Sequence, residues 1–280
     1  MKGLKKILSF GAALALSISL VGCSTSGGSN GGSTESANLL ESIKDSGKLV
    51  VGTSAEFPPF EFHKDGDEKV LGVDAMIADE FAKDLGVEVE FKEMDFDGLV
   101  GALSADKIDI ILAGMSPTEE REKSVDFTDL YYVSYNAVIV KSGDENKIKS
   151  EEDLKKLRIG VQKGSIQEEY VRDDLKAENF KSLAGIPDLV LELKNGNIDA
   201  IVTNEAVSMI NTKVYDGIKV ANTSIGEGVE EGMAAAIKQT DNNKELLDLL
   251  NKKIKELKDS GKIDEFLDEA STIAAESGQQ

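Results

Sequence analysis

Short apolar runs alternate with amphipathic segments along the chain from residue 49 onward. Runs of mostly aliphatic residues predict strands at 49–53, 87–91, 108–114, 135–141, 158–162, 198–203 and 232–238. Helix-like apolar spacing, with capping residues before it or glycine after it, predicts helices at 74–85, 95–107, 151–157, 165–176, 189–196 and 242–260, and one that begins at Ser116. This alternation predicts an α/β fold with mostly parallel sheets.

Two stretches of the chain share one design. DFDGLVGALSADKIDIILAG (95–114) and GIPDLVLELKNGNIDAIVT (185–203) each read as a helix, a polar turn and a strand that begins with Ile-Asp. A length of 280 residues also favours two domains or lobes over one. The echo suggests two similar lobes, although α/β units can resemble each other by chance.

The first 22 residues have the pattern of a secretory signal. Lys2, Lys5 and Lys6 form a positive start, and an apolar stretch follows from Ile7 to Val21. That stretch is short for a transmembrane span. We therefore exclude residues 1–22 from the fold and expect an exported protein.

Cys23 is the single cysteine of the chain and ends the run LVGC. No disulfide can form within the chain. LVGC resembles the bacterial lipobox, which implies diacylglycerol on the Cys23 sulfur, fatty acylation such as palmitate, and a firm membrane anchor. The alternative is an ordinary signal peptide with a chance cysteine.

A Gly/Ser-rich stretch, STSGGSNGGSTESA (24–37), follows the cysteine. Such a composition cannot bury apolar surface, so we expect a flexible tether within a tether and lead-in of residues 23–46. A lipid, a tether and a globular part together predict a protein held at the outer face of the cell membrane, in a Gram-positive bacterium.

The chain carries a formal net charge of −20 and a pI near 4.5. Such a surface lacks the positive charge that nucleic acid requires, so we expect no nucleic-acid partner. We also expect no cofactor and no metal ion, and a protein that is not an enzyme.

Candidate binding groups follow the predicted strands, where open α/β sheets bind ligands. Ser116-Pro117-Thr118-Glu119 has the spacing of a capping box, and Ser165 and Glu168 repeat it. Arg121, one of three arginines, falls in the first turn or so after Ser116. A cation there is unfavourable unless an anion lies nearby, so the sequence predicts an anion site, although a surface ion pair is the alternative.

From about residue 49 to 266 the chain resembles the polar amino-acid-binding proteins of ABC importers. The resemblance rests on VGTSAEFPPFEF, GVDAMIADEFAKDLG, IGVQKGSIQEEY and NGNIDAIVTNEAV, and above all on the run from Gly101 to Tyr132. It implies the type II periplasmic-binding-protein fold, in which two lobes joined by two hinge strands close on one ligand. The crossings are expected near 137–140 and 220–222, with lobe 1 at 47–139 plus 222–270, lobe 2 at 140–221 and a flexible tail at 271–280.

The resemblance also implies how the ligand backbone is held. Arg121 matches the arginine that grips the α-carboxylate, and Ser116 matches its helper. Ile166 matches a backbone N–H donor from lobe 2. The carbonyl of Ala113 or Gly114 matches the acceptor for the α-ammonium.

The same resemblance implies how the ligand side chain is held. Phe57 and Phe96 match two aromatic walls, and Ser54 and Gln162 match positions that read the polar end. The chain departs from the family where an aspartate commonly pairs with the ammonium, because that position is Asn204, followed by Glu205. Either Glu205 substitutes, or Asn204 binds as a neutral acceptor.

The expected partners are a free amino acid, the permease of an ABC importer and the membrane, with the protein itself a monomer. Two alternatives remain open. Some dehydratases that act on small carboxylates resemble the same fold, and a receptor could bind the ligand without transport. The sequence does not select one amino acid.

Overall fold

A computed structural model describes residues 38–223, 225 and 231–277. Its helices are α1 Leu39–Ser46, α2 Val73–Leu85, α3 Leu99–Ser104, α4 Glu151–Leu154, α5 Ile166–Glu169, α6 Ile186–Asn195, α7 Glu205–Val214, α8 Lys244–Asp259 and α9 Lys262–Ser277. Its strands are β1 Lys48–Thr53, β2 Glu56–Phe57, β3 Glu61–Phe62, β4 Glu88–Glu93, β5 Ile110–Ile111, β6 Val125–Phe127, β7 Tyr132–Ser134, β8 Asn136–Lys141, β9 Arg158–Gln162, β10 Asn179–Leu183, β11 Ala200–Asn204, β12 Ile218–Val220, β13 Glu231–Met233 and β14 Ala236–Lys238. The predicted signal, Cys23 and the predicted Gly/Ser-rich tether at 24–37 lie outside the described residues.

Two five-stranded sheets organise the fold. The first has the order β4-β1-β5-β14-β6 and the second has the order β10-β9-β11-β8-β12. In each sheet, the first three strands run parallel to one another, and each of the last two pairs antiparallel with the strand before it. The α/β prediction is confirmed, but each sheet is mixed rather than mostly parallel.

The sequence echo corresponds to equivalent places in the two sheets. The pair α3–β5 supplies the third strand of the first sheet, and α6–β11 supplies the third strand of the second. Both strands are buried along their whole length, as suits central strands that are covered on both faces. We call the first sheet with its helices the first lobe, and the second sheet with its helices the second lobe.

One expected crossing between the lobes, at 137–140, falls within the second sheet. Residues 137–140 lie inside β8, which pairs with both β11 and β12, so this segment belongs to the second lobe. Its apolar run is buried, as suits an inner strand. The segments β7 and β13 instead connect the lobes and pair antiparallel with each other, Tyr132 opposite Met233.

Both ends of the described chain are helical, and the C-terminal one corrects an expectation. Helix α1 lies in the expected lead-in and buries Leu40 and Ile43. Helix α9 continues through residue 277 and buries Ala270 and Ala274, so residues 271–277 are not a flexible tail. Apolar burial of these faces offsets the entropy that a free segment would keep.

Helix α9 joins the two lobes on their apolar faces. It packs against α2 and α8 of the first lobe and against α7 of the second. One continuous hydrophobic cluster includes Phe266 of α9, Phe81 of α2 and Val207 of α7. Within the described residues, no helix is long and apolar enough to cross a membrane.

Candidate functional site

The loop after β5 carries most of the predicted site, but not as a helix start. Gly114 has φ +55°, and its N–H donates to Asp74 Oδ2 at 2.7 Å. The chain then runs without regular structure until a 3₁₀ turn at Arg121–Lys123. Thr118 Oγ1, not Ser116, accepts from the N–H of this turn, at 3.2 Å from Arg121 N. The predicted capping box at Ser116 is therefore absent.

Asp74 is buried at the start of α2. Gly72 occupies the cap position of this helix and Asp74 lies within its first turn, with 1% of its surface exposed. A Cβ on Gly72 would lie 2.1 Å from the Phe60 carbonyl oxygen, so glycine is required where the helix enters. Asp74 points inward and holds the loop at Gly114.

Arg121 spans the two lobes with its guanidinium group. Nη1 donates to the Ser116 carbonyl at 2.5 Å, and Nη2 donates to the Gly164 carbonyl of the second lobe at 2.9 Å. The guanidinium lies 5.3 Å from the centre of the Phe96 ring. Burial lowers the pKa of Arg121 to about 10. Among the described residues, no carboxylate lies within ion-pair distance of it.

The second lobe presents a capped helix end to the same place. Ser165 Oγ accepts from the Glu168 N–H at 3.1 Å and donates to the Gln162 carbonyl at 2.7 Å. Glu168 Oε2 accepts from the Gly164 N–H at 2.6 Å. The predicted cap is confirmed, although the carboxylate reaches one residue earlier than in the usual capping box. The cap fixes the backbone from Gly164 to Ile166.

Asn204 ends β11 and begins α7. It has no exposed surface, and its side chain accepts from the Ala206 N–H at 2.9 Å. Asparagine is a favoured cap residue because its oxygen satisfies a free N–H. Glu205 is the first residue of α7 and its side chain is exposed.

Aromatic and sulfur side chains form the remaining wall. A Cβ on Gly114 would lie 3.1 Å from the Phe57 ring and 3.7 Å from Met233 Sδ, so both side chains cover this glycine. Phe57 packs at 6.1 Å between ring centres on the fully buried Phe60. Phe57 is therefore part of the cavity wall, whereas Phe60 of the same loop is part of the core.

These groups line a cavity between the lobes. It brings together the predicted residues Phe57, Phe96, Ala113, Gly114, Ser116, Arg121, Gln162, Ile166 and Asn204. Ser54 and Glu205 are not among its lining residues. Ser165, Gln167 and Met233 complete the lining, and the sequence did not identify them as binding residues.

The lining has one charged side chain, Arg121, together with amides, hydroxyls and apolar groups. It contains no histidine, cysteine or carboxylate among the described residues. In the described part of the chain, no group of His, Cys, Asp and Glu residues is arranged to hold a metal ion. The arrangement can grip a small anion and enclose the molecule that carries it.

Comparisons with known proteins agree with this geometry. The arginine-binding extracellular protein ArtP of Bacillus subtilis is 36% identical over 265 residues, covering 94% of this chain and 96% of that protein. The L-cystine-binding protein TcyJ of Escherichia coli K12 is 31% identical, covering 80% of this chain and 82% of that protein.

The crystal structure of the amino acid ABC transporter substrate-binding protein AbpA from Streptococcus pneumoniae, bound to L-arginine, has the same fold. Its TM-score is 0.80 at 34% identity, covering 84% of this chain and 99% of that one. The family profile of the bacterial extracellular solute-binding proteins, family 3, matches residues 49–270. The match spans both lobes and every residue that lines the cavity, and the chain belongs to this family.

Proposed function

We propose that this protein binds a polar amino acid in the cavity between its lobes and delivers it to the permease of an ABC importer. One observation carries the proposal. Arg121 is the single charged side chain of the lining, and within the described residues its guanidinium bonds only to carbonyl groups. A carboxylate ligand would supply the opposite charge, and a bidentate grip on it is what a guanidinium does best.

The other lining groups fit the rest of an amino acid. The Ser116 hydroxyl and the Ile166 N–H would assist at the carboxylate. Carbonyls of Ala113 or Gly114 and the side-chain oxygen of Asn204 would accept from the ammonium. Glu205 does not take this role, because its residue is exposed and lies outside the lining.

The ligand side chain would lie between Phe57 and Phe96, with Gln162 at its polar end. Gln162 Nε2 donates to the Ala184 carbonyl at 3.2 Å, which fixes the amide and leaves its oxygen for a ligand donor. Ser54 is buried but outside the lining, so it would act behind the wall. L-Arginine is the first ligand to test, because ArtP is named an arginine-binding protein and the crystal structure of AbpA contains bound L-arginine.

A thermal-shift screen of the twenty amino acids with cystine and ornithine tests the proposal. A ligand that binds only the folded protein raises the melting temperature by mass action. Arg121→Ala should abolish the shift, because losing a buried charged partner costs about 3 kcal/mol or more, a Kd raised at least ~100-fold.

Arg172→Ala is the matched control, because the exposed Arg172 pairs with Asp173 at 2.7 Å, and the variant should bind like the parent protein. Tight amino-acid binding by Arg121→Ala would refute the carboxylate grip. No shift with any compound would refute the ligand class.

Binding without turnover is the proposed activity. A dehydratase needs a general acid or base, and the described lining offers neither carboxylate nor imidazole. Mass spectrometry should recover the bound ligand unchanged. A receptor without transport is distinguished by uptake, because a strain that lacks this protein should lose import of the ligand.

The anchor is a separate part of the proposal. We propose lipid modification at Cys23 and a location on the outer face of a Gram-positive cell membrane, in agreement with the extracellular family. Cys23→Ala should release the protein to the medium and abolish labelling by palmitate. A monomer is proposed for the mature protein, and light scattering after chromatography measures it.

A further inference from the structure

A cluster of three ionisable side chains lies buried behind the binding loop. Glu61 of β3, Asp74 of α2 and Tyr131, which precedes β7, expose 1%, 1% and 2% of their surfaces. Asp74 Oδ1, Glu61 Oε2 and the Tyr131 hydroxyl are each shielded from solvent without a hydrogen bond of good geometry in the described structure. Two carboxyl groups and a phenol that are buried together cannot all be ionised, because two adjacent buried negative charges would cost too much free energy. At least one of the two carboxyl groups therefore keeps its proton.

The other oxygen of Asp74 contacts the loop directly. Asp74 Oδ2 accepts from the Gly114 N–H at 2.7 Å, a short distance that is typical of a charged acceptor. A trans peptide points its N–H and its carbonyl in opposite directions. The carbonyl on the far side of this peptide belongs to Ala113, which lines the cavity. Asp74 therefore orients the peptide and strengthens the negative end that faces the cavity.

The proton distribution within the cluster follows from burial and contacts. Burial raises the pKa of Asp74 to about 7, although the Gly114 N–H, Tyr131 and Glu61 act to lower it. Burial and the charge of Asp74 raise the pKa of Glu61 well above its ordinary value. The same two causes raise the pKa of Tyr131. Of the two carboxyls, Asp74 accepts the Gly114 N–H, so we place the negative charge of the cluster on Asp74 and the proton on Glu61.

The elements packed around Asp74 bring no counter-charge to it. Strand β3 contributes Glu61, and the segment before β7 contributes Tyr131. Helix α8 contributes Lys253, whose ammonium lies 2.9 Å from Asp84 at the other end of α2. No charged group of β1, β4 or α9 in the described residues is among the influences on the pKa of Asp74.

We propose that Asp74, with Glu61 as its proton-bearing partner, is a positioning residue that orients the Ala113–Gly114 peptide and supplies negative charge behind it for the ammonium of the ligand. This inference rests on the proposed function. A cation bound in front of the peptide favours the ionised Asp74 and, by reciprocity, the ionised Asp74 favours the cation. Binding then releases a proton from the cluster, and affinity falls as the cluster becomes protonated.

Calorimetry with L-arginine tests the proposal in the mature protein. The Kd should be about fivefold higher at pH 6 than at pH 8, if the ligand lowers the pKa of Asp74 by one unit. Titrations at pH 7 in phosphate and in Tris, which differ in ionisation enthalpy, should show net proton release. Asp74→Asn keeps the shape and the acceptor oxygen, so it should bind more weakly at pH 8 and lose both the release and the pH dependence.

Two further variants separate charge from structure. Glu61→Gln still offers a donor to Asp74 and should keep the proton release. Asp79→Asn changes an exposed carboxylate on the same helix and should behave like the parent protein. Absence of proton release from the parent protein, or equal release from Asp74→Asn, would overturn the inference. Failure of every amino acid to bind the parent protein would instead overturn the proposed function.

Discussion

Gly164 of the second lobe lies against Asp97 of the first lobe, and Gly164→Ala should weaken ligand binding. The residue follows β9 with φ +75°, and its carbonyl accepts from Arg121 Nη2 at 2.9 Å. A Cβ here would lie 2.7 Å from Asp97 Cβ and 3.1 Å from Asp97 Cα of the first lobe. Neither atom can rotate away, because one is backbone and the other is fixed to it.

The expected effect has two parts of different origin. Placing alanine at positive φ costs about 1 kcal/mol wherever it occurs, and this lowers the stability of the protein. The collision with Asp97 exists only when the lobes touch, and overpacking of this kind costs about 1–3 kcal/mol. The second part opposes closure, so the Kd should rise by roughly 5- to 150-fold.

A matched control isolates the second part. Gly217 of the second lobe has φ +85°, and a Cβ there would meet nothing within 4 Å. Gly217→Ala should therefore lose stability like Gly164→Ala but bind like the parent protein. Urea denaturation measures the first quantity, and calorimetry with the ligand found in the screen measures the second. An unchanged Kd for Gly164→Ala would show that binding does not need this contact between lobes.

Three further outcomes are expected. Ser165→Ala should lower the free energy of unfolding in urea by about 1 kcal/mol and should also weaken ligand binding. Ser150 caps α4 outside the cavity lining, so Ser150→Ala should lower stability alone. Equal binding by both variants would contradict a role for the α5 cap. Phe266→Ala should lower the free energy of unfolding by about 3–5 kcal/mol, because the ring is buried where α9 joins the lobes; a loss below 1 kcal/mol on this scale would mean that α9 contributes little. Asp74 has a pKa of about 7 in the folded protein, whereas the unfolded chain releases this proton near the ordinary pKa of aspartate. The parent protein should therefore lose stability relative to Asp74→Asn as the pH rises from about 4 to 7, by at most about 1.4 kcal/mol per pH unit. A constant difference in the free energy of unfolding across that range would contradict the raised pKa.

Local patterns in the sequence predicted the elements whose signals are themselves local. Strand β9 occupies the predicted residues, and the glycine stops at Gly86 and Gly196 are left-handed caps. The cap at Ser165 formed because its helix follows at once. Gly261 also ends α8 with a positive φ, but a new helix begins at the next residue. Gly261 therefore ends α8 where the pattern predicts, but the tertiary packing that holds α9 has no local signal in the sequence.

Tertiary contacts decided the places where the sequence misled. Ser116 and Ser165 have the same capping spacing, yet only Ser165 caps a helix. The loop at Ser116 is held instead by Asp74 on Gly114 and by Arg121 on the Ser116 carbonyl. Neither contact follows from residue spacing, since Asp74 is 40 positions from Gly114. Nine of the predicted binding residues nonetheless line one cavity in the described structure, because they lie near the ends of strands in the two sheets.

The neutral side chain at Asn204 is consistent with the charges around the cavity. Asn204 is fully buried and caps α7, a role that asparagine and aspartate fill about equally. The choice between them therefore changes the charge of the lining rather than the fold. With asparagine, the described lining carries the single charge of Arg121. An amino acid bound there would neutralise Arg121 with its carboxylate, and its ammonium would meet carbonyl groups and Asn204. The negative charge for that ammonium would then come from Asp74, which lies behind the Ala113–Gly114 peptide. The first lobe would thus supply, on a group whose charge depends on pH, the negative charge that the second lobe lacks at Asn204.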